Sequence, residues 1–98
     1  MVLGRGKSSL TKQEAELIGI AGLSYLAADP ERLGRFLAVT GLGPENVRTA
    51  ARDPGFLPAL LDYLLANEAD LVAFAEEMNL RPEKIGAARD VLSPPVIL

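Results

Sequence analysis

Two segments of this chain, residues 21–50 and 59–88, align without a gap and agree at positions that shape helices. The offset of 38 positions lies within the range of helical repeats. A shared Leu- and Ala-rich composition would not place Tyr, Phe and a Pro-Glu pair in register. We therefore predict an internal duplication that gives two pseudo-symmetric halves of three helices each. The eleven identical pairs are Ala21/Ala59, Leu23/Leu61, Tyr25/Tyr63, Leu26/Leu64, Ala28/Ala66, Leu33/Leu71, Phe36/Phe74, Leu42/Leu80, Pro44/Pro82, Glu45/Glu83 and Ala50/Ala88.

Length and composition favour one all-α domain. A chain of 98 residues has room for a single core. Its hydrophobic fraction of 49% contains few aromatic residues, which suits close-packed helices better than a β-sandwich. We predict a compact bundle of five to six helices over residues 11–92, with a mobile N-terminal arm at residues 1–10 and a C-terminal tail at residues 93–98.

The first predicted helix and its counterpart in the second half are expected to lie at the centre of the bundle. Thr11 and Glu14 have the spacing of a capping box, so the first helix begins there and runs to about Ala28. It is apolar nearly all round, as is the fourth helix over residues 56–66. Gly19 and Gly22 lower helix propensity, and such glycines usually allow a neighbouring helix to approach closely.

Caps and prolines divide the rest of the chain. Asp29 before Pro30 is a strong helix start, and Gly41 is suited to end that second helix in the left-handed region. A third helix is expected over residues 44–52.

In the second half, Asn67 is expected to cap the fifth helix with Asp70 answering it, and Pro82 to start the sixth. The predicted inward positions are Leu33, Phe36, Leu37, Thr40, Val47, Ala50, Ala51, Leu71, Phe74, Ala75, Met78, Ile85, Ala88 and Leu92.

The charge distribution argues against nucleic-acid binding. The net charge is −3, but Arg5, Lys7 and Lys12 lie at the N-terminus, so residues 13–98 carry 7 basic against 13 acidic residues. An acidic body repels phosphate backbones. No signal-peptide core and no apolar run long enough to span a bilayer occurs, so a cytoplasmic protein without a membrane partner is expected.

Few residues suit catalysis. The chain has no His and no Cys, which removes the commonest general base, nucleophilic thiols and the usual zinc ligands. Asp62, inside the apolar fourth helix, is best interpreted as a residue tied to a neighbouring amide, hydroxyl or Arg, or as an exposed edge. Tyr25 and Tyr63 are expected to pack their rings with the hydroxyl at a polar edge. We predict no enzyme, no cofactor and no metal site.

A helix-turn-helix DNA-binding protein is the alternative from a different functional class. Residues 37–52 place a glycine corner before a proline-initiated helix, and residues 75–90 repeat that pattern. The second helix would then offer Asn46, Arg48, Thr49 and Arg52 to base edges. Any tight helix corner needs the same spacing, and Glu45 opposes the interpretation.

One longer pattern resembles a known family. The run Leu26-Ala27-Ala28-Asp29-Pro30-Glu31-Arg32-Leu33-Gly34-Arg35-Phe36-Leu37, followed by Gly41-Leu42, Asp53-Pro54-Gly55-Phe56-Leu57 and Leu61-Asp62-Tyr63-Leu64-Leu65, is similar to the small bacterial family catalogued as domain of unknown function 3572. The resemblance covers residues 13–92 and implies a compact helical protein without an assigned activity, so it carries no functional residue over.

The functional expectation is therefore a non-catalytic protein-interaction module. The apolar composition favours a protein partner, and homodimerisation is the simplest such use. Arg32 and Arg35 form a basic strip on the second predicted helix where the second half has Asp70 and Ala73. This strip is the candidate partner surface.

Overall fold

The computed structural model describes residues 10–93, and this part of the chain is all-helical. A capping box and five further helix starts divide it into six α-helices. A 3-10 turn at Pro44–Asn46 leads directly into the third of them. The helices are α1 (Lys12–Ala27), α2 (Pro30–Thr40), α3 (Val47–Ala50), α4 (Phe56–Ala66), α5 (Glu68–Met78) and α6 (Pro82–Leu92).

The core lies where α1, α4 and α6 pack against one another. Buried leucines of α1 and α4 share this core with Ile85 and Ala88 of α6, and α2 and α5 pack at its sides. The aromatic rings are shared between the halves, because Tyr25 packs on Phe74 and Tyr63 on Phe36. The all-α class is confirmed. The fully buried large side chains are Leu26, Phe36, Leu60, Leu61, Leu64, Phe74 and Ile85.

Two glycines set the distance between α1 and α4. A Cβ atom on Gly22 would lie 2.9 Å from Leu60 Cδ2 and 3.1 Å from Leu64 Cδ1. A Cβ atom on Gly19 would lie 3.2 Å from three atoms of Leu57. The leucines of α4 therefore fill the space that side chains at these two positions of α1 would occupy, which is the close approach that the sequence predicts.

The predicted caps of the first half are confirmed. The Glu14 amide donates to Thr11 Oγ1 at 3.0 Å, and the Thr11 amide donates to Glu14 Oε1 at 3.0 Å. Asp29 accepts from the Glu31 amide at 2.9 Å with Pro30 in the first helical position. Gly41 ends α2 at φ 77°, in the left-handed region.

Two local predictions are wrong. The side chain of Asn67 does not cap α5. Its Nδ2 donates back to the carbonyl of Tyr63 at 2.7 Å and so satisfies the end of α4 instead. The third helix does not span residues 44–52. It is a 3-10 turn followed by a single turn of α-helix, because the segment has no buried residue to hold a longer one.

The inward pattern is confirmed except at helix ends. Thr40 and Met78 are exposed, and the Thr40 hydroxyl donates to the carbonyl of Phe36 at 2.9 Å rather than entering the core. Leu10, assigned to the N-terminal arm, packs against the core. The predictions for residues 1–9 and 94–98 lie outside the described residues.

The close contact at Gly22 has a measurable consequence. Gly22→Ala should lose stability relative to Gly34→Ala, because overpacking against Leu60 opposes the gain in helix propensity. Gly34 lies in α2 with nothing within 4 Å, so its substitution should stabilise by about 0.5–1 kcal/mol. Urea unfolding measures both variants. Equal gains in stability would contradict the close helix contact.

Leu64 should be among the most costly side chains to truncate. It is fully buried between α1 and the rest of the core, so Leu64→Ala should destabilise by about 2–5 kcal/mol in chemical denaturation. Val39→Ala, at a largely exposed position of α2, is the matched control and should change stability by less than about 0.5 kcal/mol. A loss at Leu64 as small as the loss at Val39 would refute the burial of Leu64.

Candidate functional site

Arg32 is occupied by contacts within its own chain. Its guanidinium carbon lies 4.0 Å from the centre of the Tyr25 ring, a cation–π contact, and Nη1 donates to the Tyr25 carbonyl at 2.9 Å. Nε lies 3.7 Å from Asp29 Oδ2. Arg32 thus satisfies a carbonyl near the C-terminal end of α1 and stabilises the connection between α1 and α2. Of the two residues of the predicted basic strip, only Arg35 has no ion pair to another described residue.

Tyr25 links this corner to α5. Its hydroxyl donates to Asp70 Oδ1 at 3.3 Å, while its ring packs on Phe74 with centroids 5.5 Å apart. Burial raises the pKa of Tyr25 above its ordinary value, and the negative charge of Asp70 raises it further. The expected arrangement of a packed ring with a hydroxyl at a polar edge is present here.

Arg35 lines a groove between α2 and α4, which we call the α2–α4 groove. It has a volume of about 540 Å³ and mainly apolar walls. Alanines form much of both walls, and their small side chains leave the space open. The lining includes Arg35, Ala38, Val39, Ala59, Tyr63 and Ala66.

A second cleft lies between α1 and α5 and is smaller, at about 260 Å³. Its lining residues Ala21, Ser24 and Tyr25 occupy the aligned positions of Ala59, Asp62 and Tyr63. The two clefts are therefore lined in part by residues at aligned sequence positions. Their chemistry differs, because this cleft has Glu77 and Met78 where the α2–α4 groove has Val39 and Thr40.

Asp62 is exposed and engaged in a bidentate ion pair. Arg89 of α6 reaches it with Nε 2.6 Å from Oδ1 and Nη2 3.3 Å from Oδ2. The hydrogen bond and the charge of Asp62 raise the pKa of Arg89. This arrangement agrees with the interpretation of Asp62 as a residue tied to an Arg, and it leaves no free carboxylate at the edge of the α2–α4 groove.

The outward side of α1 is a surface that the sequence reasoning missed. Leu17 is 61% exposed and Ile20 is 51% exposed, one helical turn apart on the same side. Further along α1, a cleft of about 440 Å³ has mainly apolar walls and one charged residue; it is lined by Leu23, Ala27, Leu33, Pro44, Val47, Arg48 and Ala51. We call Leu17, Ile20 and this lining the α1 face. The signal was present, since a helix that is apolar all round needs cover on every side.

The four candidate DNA-contact residues are exposed but lie on a short element. Asn46 ends the 3-10 turn, Arg48 and Thr49 belong to the four-residue α3, and Arg52 follows it. Arg52 shares a depression with Glu16 and Asp53. A recognition helix lies in the major groove, and α3 offers a single turn of α-helix for that role. The geometry therefore does not favour the DNA-binding alternative.

Within residues 10–93, no group of three or more Asp and Glu side chains is placed to hold a metal ion. No helix in this part of the chain is both long enough and apolar enough to cross a membrane.

Comparison with known proteins identifies a family without an assigned activity. Residues 12–95 match the family described as "Protein of unknown function (DUF3572)". The chain therefore belongs to this family, as its sequence resemblance implied. No curated protein and no solved structure matches the chain.

The environment of Tyr25 predicts an alkaline titration. In a Tyr63→Phe background, where Tyr25 is the only phenol, absorbance should give a midpoint above the ordinary tyrosine pKa. Asp70→Asn should lower that midpoint, while burial keeps it above the ordinary value.

The sign of the linked stability follows from the raised pKa. Protonated Tyr25 contributes stability that is complete below the pKa of an unfolded tyrosine and is lost as the pH rises through the folded pKa. Equal midpoints with and without Asp70 would contradict the role of its charge.

Proposed function

We propose that this member of the DUF3572 family is a non-catalytic protein-interaction module that docks through the α1 face. The observation that carries the proposal is the exposure of Leu17 and Ile20 at the middle of the longest helix. From Leu17 to Ala28 the helix carries no charged side chain. A continuous apolar surface of this kind, bordered by an apolar cleft, is typical of protein interfaces.

The short α3 accounts for the open surface. In the second half, the third helix is α6, whose 11 residues bring Ile85 and Ala88 into the core. In the first half, the aligned residues Val47 and Ala50 lie in the four-residue α3 and are only partly buried. The side of α1 that a longer α3 would cover therefore stays exposed, and a partner can supply the missing layer.

A second copy of the chain is the partner that fits this surface best. A homodimer with two-fold symmetry would bring two α1 faces together. If the two α1 helices are antiparallel, the positive end of each helix dipole lies beside the negative end of the other, which is favourable. Glu16, at the edge of the face, would then meet the uncharged end of the partner helix near Ser24 and Ala27. No like charges would face each other at the centre.

Several charged side chains are engaged in hydrogen bonds within the chain, which supports a non-catalytic role. Asp62 is paired with Arg89, Asp70 accepts from Tyr25, and Glu14 completes a helix cap. These are structural contacts, and none of them brings an acid and a base together in a pocket.

The internal duplication is part of the same proposal. Its support is the exchange of aromatic contacts between the halves: Tyr25 packs on Phe74, and Tyr63 packs on Phe36 at 5.3 Å. The matched tyrosines and phenylalanines are all buried, as an approximate two-fold axis between α1 and α4 requires. The third helices of the two halves, α3 and α6, do not follow this two-fold axis. Because α3 is shorter than α6, the proposed docking surface on α1 stays exposed.

A charge on the α1 face should separate the two copies. Ile20→Lys should weaken self-association at least about tenfold, because dimerisation would bury an unpaired ammonium group. Sedimentation equilibrium over a wide concentration range measures this change.

Val72→Lys, at a half-exposed valine of α5 outside the α1 face, is the matched control and should leave self-association unchanged. A wild-type protein that is strictly monomeric at high concentration would overturn the homodimer. Equal effects of Ile20→Lys and Val72→Lys would show that the interface does not lie on the α1 face.

A further inference from the structure

The α2–α4 groove is a second surface, separate from the α1 face. It is an open channel between two helices, with Ala38 on one wall and Ala59 and Ala66 on the other. Val39 at its rim is 72% exposed, the highest value among the large apolar side chains described. The groove therefore offers apolar contact area and room for the side chains of a further helix.

The groove contains one positive charge that no carboxylate of the described residues neutralises. Arg35 has no carboxylate within ion-pair distance among the described residues. Asp62, the acidic residue of the lining, is already held by Arg89 at 2.6 Å. An acidic group entering the groove would meet a free guanidinium and no competing free carboxylate.

Tyr63 supplies the second polar group. Only 8% of Tyr63 is exposed, yet its hydroxyl makes no hydrogen bond to any other described residue. No side-chain oxygen of the described residues is both buried and without a partner, so this hydroxyl is open to the groove. It can therefore donate a hydrogen bond to an acceptor that enters the groove.

The other half shows which acceptor fits a tyrosine in this setting. Tyr25 packs on Phe74 as Tyr63 packs on Phe36, and its hydroxyl is taken by the carboxylate of Asp70. The position aligned with Asp70 is Arg32, which is turned to the Tyr25 ring and its carbonyl. The chain thus supplies a carboxylate to one tyrosine and leaves the other without one.

We infer that the α2–α4 groove binds an acidic amphipathic helix of a partner protein. One carboxylate of that helix accepts the hydrogen bond from the Tyr63 hydroxyl and pairs with Arg35. The apolar side chains of the helix pack between the alanine walls and against Val39. A small ligand fits less well. The groove is open to solvent along both helices and would therefore bury little of the surface of a small ligand.

The test is an NMR titration of the full isotope-labelled chain with a designed helical peptide. The probe is an Ala-based helix with Leu and Glu on one side, and the matched peptide has Lys at each Glu. The acidic peptide should shift amide signals of α2 and α4, while the Lys peptide should not. Arg35→Glu should weaken binding of the acidic peptide at least about tenfold.

Two further protein variants separate the contacts. Tyr63→Phe keeps the ring and should weaken binding about threefold to tenfold through loss of one hydrogen bond. Arg81→Glu, an exposed arginine at the start of α6, is the matched control for net charge and should bind as the wild type does. Circular dichroism and urea unfolding confirm that each variant is folded.

Several outcomes would overturn the inference. These are equal shifts from the acidic and Lys peptides, an equal loss in Arg81→Glu and Arg35→Glu, no shift at millimolar acidic peptide, or full binding by Tyr63→Phe. Loss of peptide binding in Ile20→Lys would place the peptide on the α1 face instead. Self-association that Arg35→Glu abolishes would make a second copy the occupant of this groove and not a partner protein.

Discussion

The contact between α1 and α4 is the constraint on which the rest of the structure depends. Gly22 admits the methyl groups of Leu60 and Leu64 into space that a side chain on α1 would otherwise fill. With the two helices this close, α6 can lie across both and close the core with Ile85. The same closeness lets aromatic rings of each half reach the other. This close helix contact follows from two glycines whose local cost is about 1 kcal/mol each.

Much of this arrangement could be predicted from the sequence because it depends on local chemistry. The capping box at Thr11, the proline after Asp29 and the left-handed Gly41 each fix a helix boundary through contacts within four residues. The buried stripes follow from helical periodicity. The expected central position of α1 and α4 depended on their apolar sequences and on the alignment of residues 21–50 with residues 59–88.

The wrong predictions share a different cause. Asn67 has a good capping residue type, but its amide finds a carbonyl at the end of α4, and sequence spacing does not rank these two options. The third helix had a proline start and apolar spacing, yet its length depends on tertiary burial that local patterns do not report. The candidate site depends on such tertiary choices too. Arg32 and Arg35 look alike in the sequence, but one packs on a tyrosine ring and the other lines a groove.

Both proposed interactions depend on differences between the aligned segments, residues 21–50 and 59–88. The aromatic pairs and buried leucines are common to both, while the charged partners of the tyrosines and the lengths of the third helices are not. The proposed docking surface and the proposed groove both lie at these departures, with α1 uncovered beside α3 and Tyr63 left without the acceptor that Tyr25 has.

The short α3 also has a consequence for motion. A single helical turn without one buried residue gains little from tertiary packing, so its opening costs far less free energy than global unfolding. Backbone amides of residues 47–51 should exchange with solvent through local opening, long before those of α1 and α4. The wall that α3 contributes to the cleft beside α1 can therefore adjust its shape more readily than the wall that α1 contributes.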